Sequence, residues 1–151
     1  MRFAQKWTTC TVQGIRDVAP AIREFVLRPE GMSLEHYAIG SHMNVGVMID
    51  GRPEIRSYSL VGEFSPDGYR IAVRRAPDSR GGSLYMWSLT PGARIKVSTP
   101  TSLVEIDWSR KSYCLVAGGI GITPIIGIAS ALTRRNAELE LHYAVKSRND
   151  A

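Results

Sequence analysis

Apolar and polar residues alternate in short runs through the first two-thirds of the chain, and turn residues separate the runs. Met43, Val45, Val47 and Ile49 recur at every second position, the period of a strand with one buried face. Asp50-Gly51 follows, a pair suited to a primed hairpin turn because both positions need positive φ. The return strand is expected over Ile55 to Val61. Lys6 to Val12 and Ile22 to Leu27, rich in Thr, Val, Ile and Phe, read as two earlier strands. A second Asp-Gly, Asp67-Gly68, precedes Tyr69 to Arg75, where Ile71 and Val73 share a face. Pro91-Gly92 precedes a last short run, Arg94 to Ser98. Six short strands with little helix between them predict a closed antiparallel barrel.

The pattern changes near Lys111. Ser112 to Ala117 is a continuous apolar run of the kind buried in a parallel sheet. A glycine-rich turn, Gly118 to Gly121, leads into Thr123 to Arg134, apolar on most faces as in a helix packed on a sheet. Alternation returns over Glu138 to Val145, completing a β-α-β unit. The expected division is therefore a barrel over 1–108 and the start of a second lobe over 109–151. One such unit is too little for a complete nucleotide-binding lobe, which takes several.

With 44% hydrophobic and 22% charged residues, the 151-residue chain can bury a core and is not expected to be disordered. Its longest apolar stretch is broken by glycines and a proline, which argues against a membrane span. No apolar segment follows Arg2, so no secretory signal is expected, and the chain reads as cytoplasmic. The two cysteines, Cys10 and Cys114, cannot form a zinc quartet or an iron–sulfur ligand set. Both read as buried free thiols, and no metal site is expected. The net charge of +5 favours anionic partners. Arg52, Arg56, Arg70, Arg74, Arg75 and Arg80 cluster mid-chain, and arginine forks well onto phosphate oxygens. No aromatic interleaving accompanies them, so nucleic acid is a weak third reading.

Three motifs carry candidate chemistry. Arg56-Ser57-Tyr58-Ser59 on the fourth strand would place Arg56 and Tyr58 on one face, where a cation meets a phosphate beside an aromatic platform. Arg80-Gly81-Gly82-Ser83 precedes a short helix with Ser83 as its expected N-cap, a setting for a phosphate near free amides. Each motif also reads as ordinary strand or turn sequence. Gly118-Gly119-Ile120-Gly121-Ile122-Thr123-Pro124 lies between a strand and a helix, the context a dinucleotide turn requires. Pro124 suits the first helical turn.

In this order and spacing the three motifs resemble those of the ferredoxin–NADP reductase superfamily. The likeness is greatest to the branch of phthalate dioxygenase reductase and vanillate O-demethylase reductases, with Gly40-Ser41-His42 also matching. The resemblance implies a mainly β fold: a six-stranded antiparallel Greek-key barrel that binds flavin, followed by a truncated start of a Rossmann-like NAD(P) lobe. The branch adds a [2Fe–2S] domain, absent from this chain. Its flavin is FMN, where much of the superfamily uses FAD, and its nicotinamide donor is NADH ahead of NADPH. By the same resemblance Arg56 holds the flavin phosphate, Tyr58 packs on the isoalloxazine and Ser57 and Ser59 offer donors, Ser59 near flavin N5. Ala72, Val73 and Arg74 line the ring's other edge through their backbone. Gly81, Gly82 and Ser83 cradle the phosphate. Thr123 lies where flavin and nicotinamide meet, and Gly118, Gly119 and Gly121 serve the dinucleotide. Ser59 and Thr123 are the expected catalytic positions.

The implied reaction is hydride transfer from NAD(P)H to flavin, then single electrons to an iron–sulfur centre elsewhere, on the way to an oxygenase partner. It asks for no nucleophile, and His36, His42 and His142 suggest none; a packed barrel histidine is the expected reading of His42. Lys146-Ser147-Arg148 is positioned to meet the extra phosphate of NADPH, or is a solvated basic loop. Because the chain stops inside the second lobe, it reads as a fragment. The alternative function is a flavin-binding module that no longer accepts hydride.

Overall fold

The structure, a computed structural model, describes residues 5–102 and 104–150. Strands β1 (Trp7–Ala19), β2 (Ile22–Pro29), β3 (His42–Ile49), β4 (Arg52–Ser59), β5 (Tyr69–Arg74) and β6 (Arg94–Ser98) form one antiparallel sheet, ordered β4-β3-β6-β1-β2-β5. Its two ends meet. Leu60, just past β4, bridges Ile71 of β5, and Val61 N–H donates to the Arg70 carbonyl at 2.8 Å. The alternation read from the sequence points inward: Val12, Phe25, Leu27, Met43, Val45, Ile71 and Val97 are fully buried and form one core. A short helix, α1 (Gly82–Ser88), adds Met86 to that core.

Beyond the barrel, β7 (Ser112–Gly118) and β8 (Glu138–Ala144) pair in parallel, from Ser112 opposite Glu138 to Gly118 opposite Ala144. A 3-10 turn, Gly119–Gly121, joins β7 to α2 (Ile122–Arg134). Helix α2 sits tightly on the barrel. A Cβ built on Gly127 would lie 2.8 Å from the Gly62 carbonyl oxygen, so helix and loop touch backbone to backbone. Arg134 pairs with Glu63 beside this contact, and Tyr37 Oη donates to the Glu63 carbonyl at 2.9 Å. Among the described residues no helix is long and apolar enough to cross a membrane.

Four expectations are corrected. Strand β1 does not stop at Val12 but continues to Ala19 across bulges at Val12/Gly14 and Asp17/Ala19. Its polar second half is held by ladder bonds to β2, which are indifferent to side-chain polarity. Strand β4 starts at Arg52, three residues earlier than expected, because Asp50 (φ 49) and Gly51 (φ 74) make so tight a turn that Ile49 pairs directly with Arg52. Ser83 does not cap α1. The N-cap is Gly81 in the left-handed region, and Ser83 Oγ instead accepts the Ala76 N–H at 3.3 Å. Cys114 is exposed, whereas Cys10 is buried as expected. The face of β7 that carries Cys114 is uncovered, and Val116 on that face is 71% exposed.

Candidate functional site

Two of the three motifs, 24 residues apart in sequence, meet in space. A Cβ built on Gly82 would lie 2.8–3.2 Å from Nε, Cγ and Cδ of Arg56, so the guanidinium stem lies flat across the start of α1. Gly81 (φ 98) is as constrained: a Cβ there would come within 2.6 Å of Ile49. At Gly81 only glycine lets the helix start approach β3 so closely, whereas at Gly82 a methyl would push the Arg56 side chain aside. Arg56 Nη1 donates to Glu54 Oε2 at 2.7 Å and to the Ile55 carbonyl at 2.9 Å. Its charge is thus held in place at the rim of α1, by contacts that an incoming anion can replace.

Tyr58, two residues on, packs against the barrel core. Burial pushes its phenol up, and Arg56 partly offsets this. Ser57 leaves this group. It is exposed on the other face of β4, its hydroxyl bonded to Asn44. Ser59 stands opposite His42 in the ladder, and His42 is half-buried within the barrel sheet. Ala72, Val73 and Arg74 pair along β2. The Val73 carbonyl is already taken by Trp87 Nε1–H at 3.1 Å, which leaves less of that backbone open to a ligand than the sequence implies.

The third motif faces β5 across two adjoining clefts that share Ile22 and Ile120 as walls. The first, about 420 Å³, is lined by Gly119 and Ile120 of the glycine turn, Arg74 of β5, and Ala144, Val145 and Lys146 at and beyond the end of β8. It opens at the carboxyl ends of the parallel strands, where α/β sheets bind ligands. Gly118, Gly119 and Gly121 have open space where a side chain would stand, and Gly119 has positive φ (48). The second cleft, about 380 Å³, joins Thr123, Ile122 and Ile126 to Gly62, Arg70 and Ala72. Thr123 is buried, and its Oγ1 donates to the Ile120 carbonyl at 3.0 Å, tying the glycine turn to the helix start.

Sequence reasoning missed three features of this region. Arg70 reaches the second cleft with a buried Nε that has no hydrogen-bond partner among the described residues. Arg74 and Lys146 line one cleft although 72 residues separate them. The Gly62–Gly127 contact had a legible signal, since a glycine inside a helix costs about 1 kcal/mol and usually marks a close approach.

No family model matches the chain. It is 38% identical over 138 residues to the heme-dependent oxidative N-demethylase beta subunit of Ectopseudomonas mendocina (strain ymp), covering 90% of this chain and 44% of that protein. Over 133 residues it is 35% identical to the vanillate O-demethylase oxidoreductase of Pseudomonas putida, covering 87% and 41%. It superposes with a TM-score of 0.83 and 30% identity on the solved structure of phthalate dioxygenase reductase, covering 96% of this chain and 46% of that one. That structure is described as modular, for electron transfer from pyridine nucleotides to [2Fe–2S]. The fold and these relatives define the class: the chain has the ferredoxin reductase-like fold and is similar to the reductases that share it. Its relatives include reductase subunits of oxygenase systems, such as the carnitine monooxygenase reductase subunit of Acinetobacter baumannii, and it spans somewhat less than half the length of each of the three proteins above.

Proposed function

We propose that this chain is the flavin-binding portion of an oxygenase reductase, its barrel over 1–108 holding FMN and its second region over 109–151 meeting NADH. One observation carries the reading: Arg56 lies across Gly82, which brings the Arg-Ser-Tyr-Ser and Gly-Gly-Ser motifs together around a single cationic rim. The residues present fit such a cofactor. Arg56 supplies charge for a phosphate, Gly81 and Gly82 let the start of α1 close up against Ile49 and Arg56, and Tyr58 offers an aromatic face beside it.

When bound, the flavin accepts hydride and releases electrons singly, chemistry that belongs to the cofactor. The chain's part is binding and exclusion of water. Arg56, with the backbone of Gly81, Gly82 and Ser83, holds the phosphate; Tyr58 and the backbone of Ala72, Val73 and Arg74 flank the ring; Ser59 borders its reactive edge. Thr123 positions the glycine turn, and Gly118, Gly119 and Gly121 with Arg74 and Lys146 receive the dinucleotide. Arg74 and Lys146 give this cleft the positive charge that a pyrophosphate needs. The partner is an oxygenase reached through an iron–sulfur centre outside this chain.

The test is the visible absorption spectrum of the purified chain, with mass analysis of what heat releases. A flavin spectrum with FMN released is the expected result. FAD would keep flavin binding but remove the FMN assignment. A colourless chain that takes up no added flavin would overturn the reading.

A further inference from the structure

Away from the two clefts, β7 and β8 bring together one group of side chains of metal-ligating type. Cys114 stands opposite Glu140 in the parallel register, and Val116 opposite His142. Alternation along each strand puts Cys114, Glu140 and His142 on one face, opposite the face that carries buried Ala117. One ligand atom from each, a thiol sulfur, a carboxylate oxygen and an imidazole nitrogen, lies within 4.8 Å of the other two, and all three side chains are exposed. Among the described residues no other group of three or more His, Cys, Asp or Glu converges in this way. The convergence follows from register. Neighbouring strands run about 4.8 Å apart, and one-residue slippage would turn Glu140 and His142 to the other face.

We propose that Cys114, Glu140 and His142 form a three-ligand site for a divalent cation of the zinc type, with a fourth position open to water. The donor set selects the metal. Magnesium and calcium prefer six or more oxygens, whereas a thiolate, an imidazole and a carboxylate suit Zn²⁺ or Co²⁺. Bond lengths of roughly 2.0–2.3 Å to such an ion place neighbouring ligand atoms roughly 3.3–3.8 Å apart. Closing from 4.8 Å therefore needs only rotation of three exposed side chains on a rigid strand pair. His142 Nε2 and Glu140 Oε1 lie 2.8 Å apart. The cation takes the place of the hydrogen bond between them, and the metal-binding imidazole nitrogen and the Cys114 thiol both give up their protons to solvent as the bonds to the metal form. The bound ion would cross-link β7 to β8. This inference does not depend on flavin binding.

Co²⁺ titration of the 151-residue chain, with a non-thiol reductant and read as a difference spectrum, tests it. Expected are a thiolate-to-cobalt charge-transfer band in the near ultraviolet and the visible bands of tetrahedral cobalt, both abolished by Zn²⁺. Cys114→Ser should lose the charge-transfer band, while Cys10→Ser keeps it. His142→Gln and Glu140→Gln should each weaken Co²⁺ binding by more than tenfold, since losing an outer-shell partner alone costs about that much. Circular dichroism of each variant checks that it folds. No band in the unmodified chain, a band that survives Cys114→Ser, or unchanged affinity in both folded Gln variants would overturn the proposal.

Discussion

Single residues shape the rim proposed to hold a phosphate. Arg56 is held by Glu54 and lies against Gly82, so two substitutions probe the same contact. Arg56→Ala should weaken flavin binding by about 1.5–3 kcal/mol, the worth of a charge-assisted bond. Gly82→Ala should weaken it less, with little loss of thermal stability, because the new methyl displaces a flexible side chain and not backbone. Isothermal titration of flavin-free protein measures both, and equal affinity in all three proteins would remove Arg56 from the site. Cys10 gives a separate prediction. Burial, with a smaller contribution from Glu30, pushes its thiol from 9.0 up to about 12. The folded chain therefore keeps this proton where the unfolded chain loses it. The stability this contributes is complete below about pH 9 and declines as pH rises toward about 12. Across that window the melting temperature should fall more steeply for the unmodified chain than for Cys10→Ala; parallel slopes would refute the assignment.

At the scale of elements, the joint between barrel and α2 is the most demanding contact. Gly127→Ala should gain about 1 kcal/mol of helix propensity. It would also drive a methyl to 2.8 Å from the Gly62 carbonyl oxygen, and two backbones cannot part without moving α2 and the Arg134–Glu63 pair. Overpacking of this kind costs about 1–3 kcal/mol, so the net effect in denaturant unfolding should be destabilising. Elements were also where sequence reading succeeded and failed for identifiable reasons. The hairpin at Asp50-Gly51 was legible because left-handed backbone restricts which residues can stand there. The second half of β1 was not, because residues such as Arg16 and Asp17 are held by pairing with Glu24 and Arg23 of β2, a partner strand that local pattern does not report. The cap of α1 was misassigned to Ser83 because a glycine cap in the left-handed region leaves no side-chain signature.

For the molecule as a whole, the two clefts between the barrel and the β-α-β unit are where the two regions would share a ligand. If Gly119, Arg74 and Lys146 receive a dinucleotide, the flavin-loaded chain should bleach when NADH is added without oxygen. Bound flavin that stays oxidised would favour the alternative, a module that retains flavin but no longer accepts hydride. The sequence by itself determined the barrel, the β-α-β unit and the three glycine- and arginine-bearing motifs, because alternation, turn chemistry and strand–turn–helix order are local properties. Only the tertiary structure decided that Arg56 lies on Gly82, that Arg74 and Lys146 share a cleft, and that Cys114 meets Glu140 and His142. Those are meetings of distant segments, set by strand order, register and the uncovered face of β7 and β8, and no local pattern of residues encodes them.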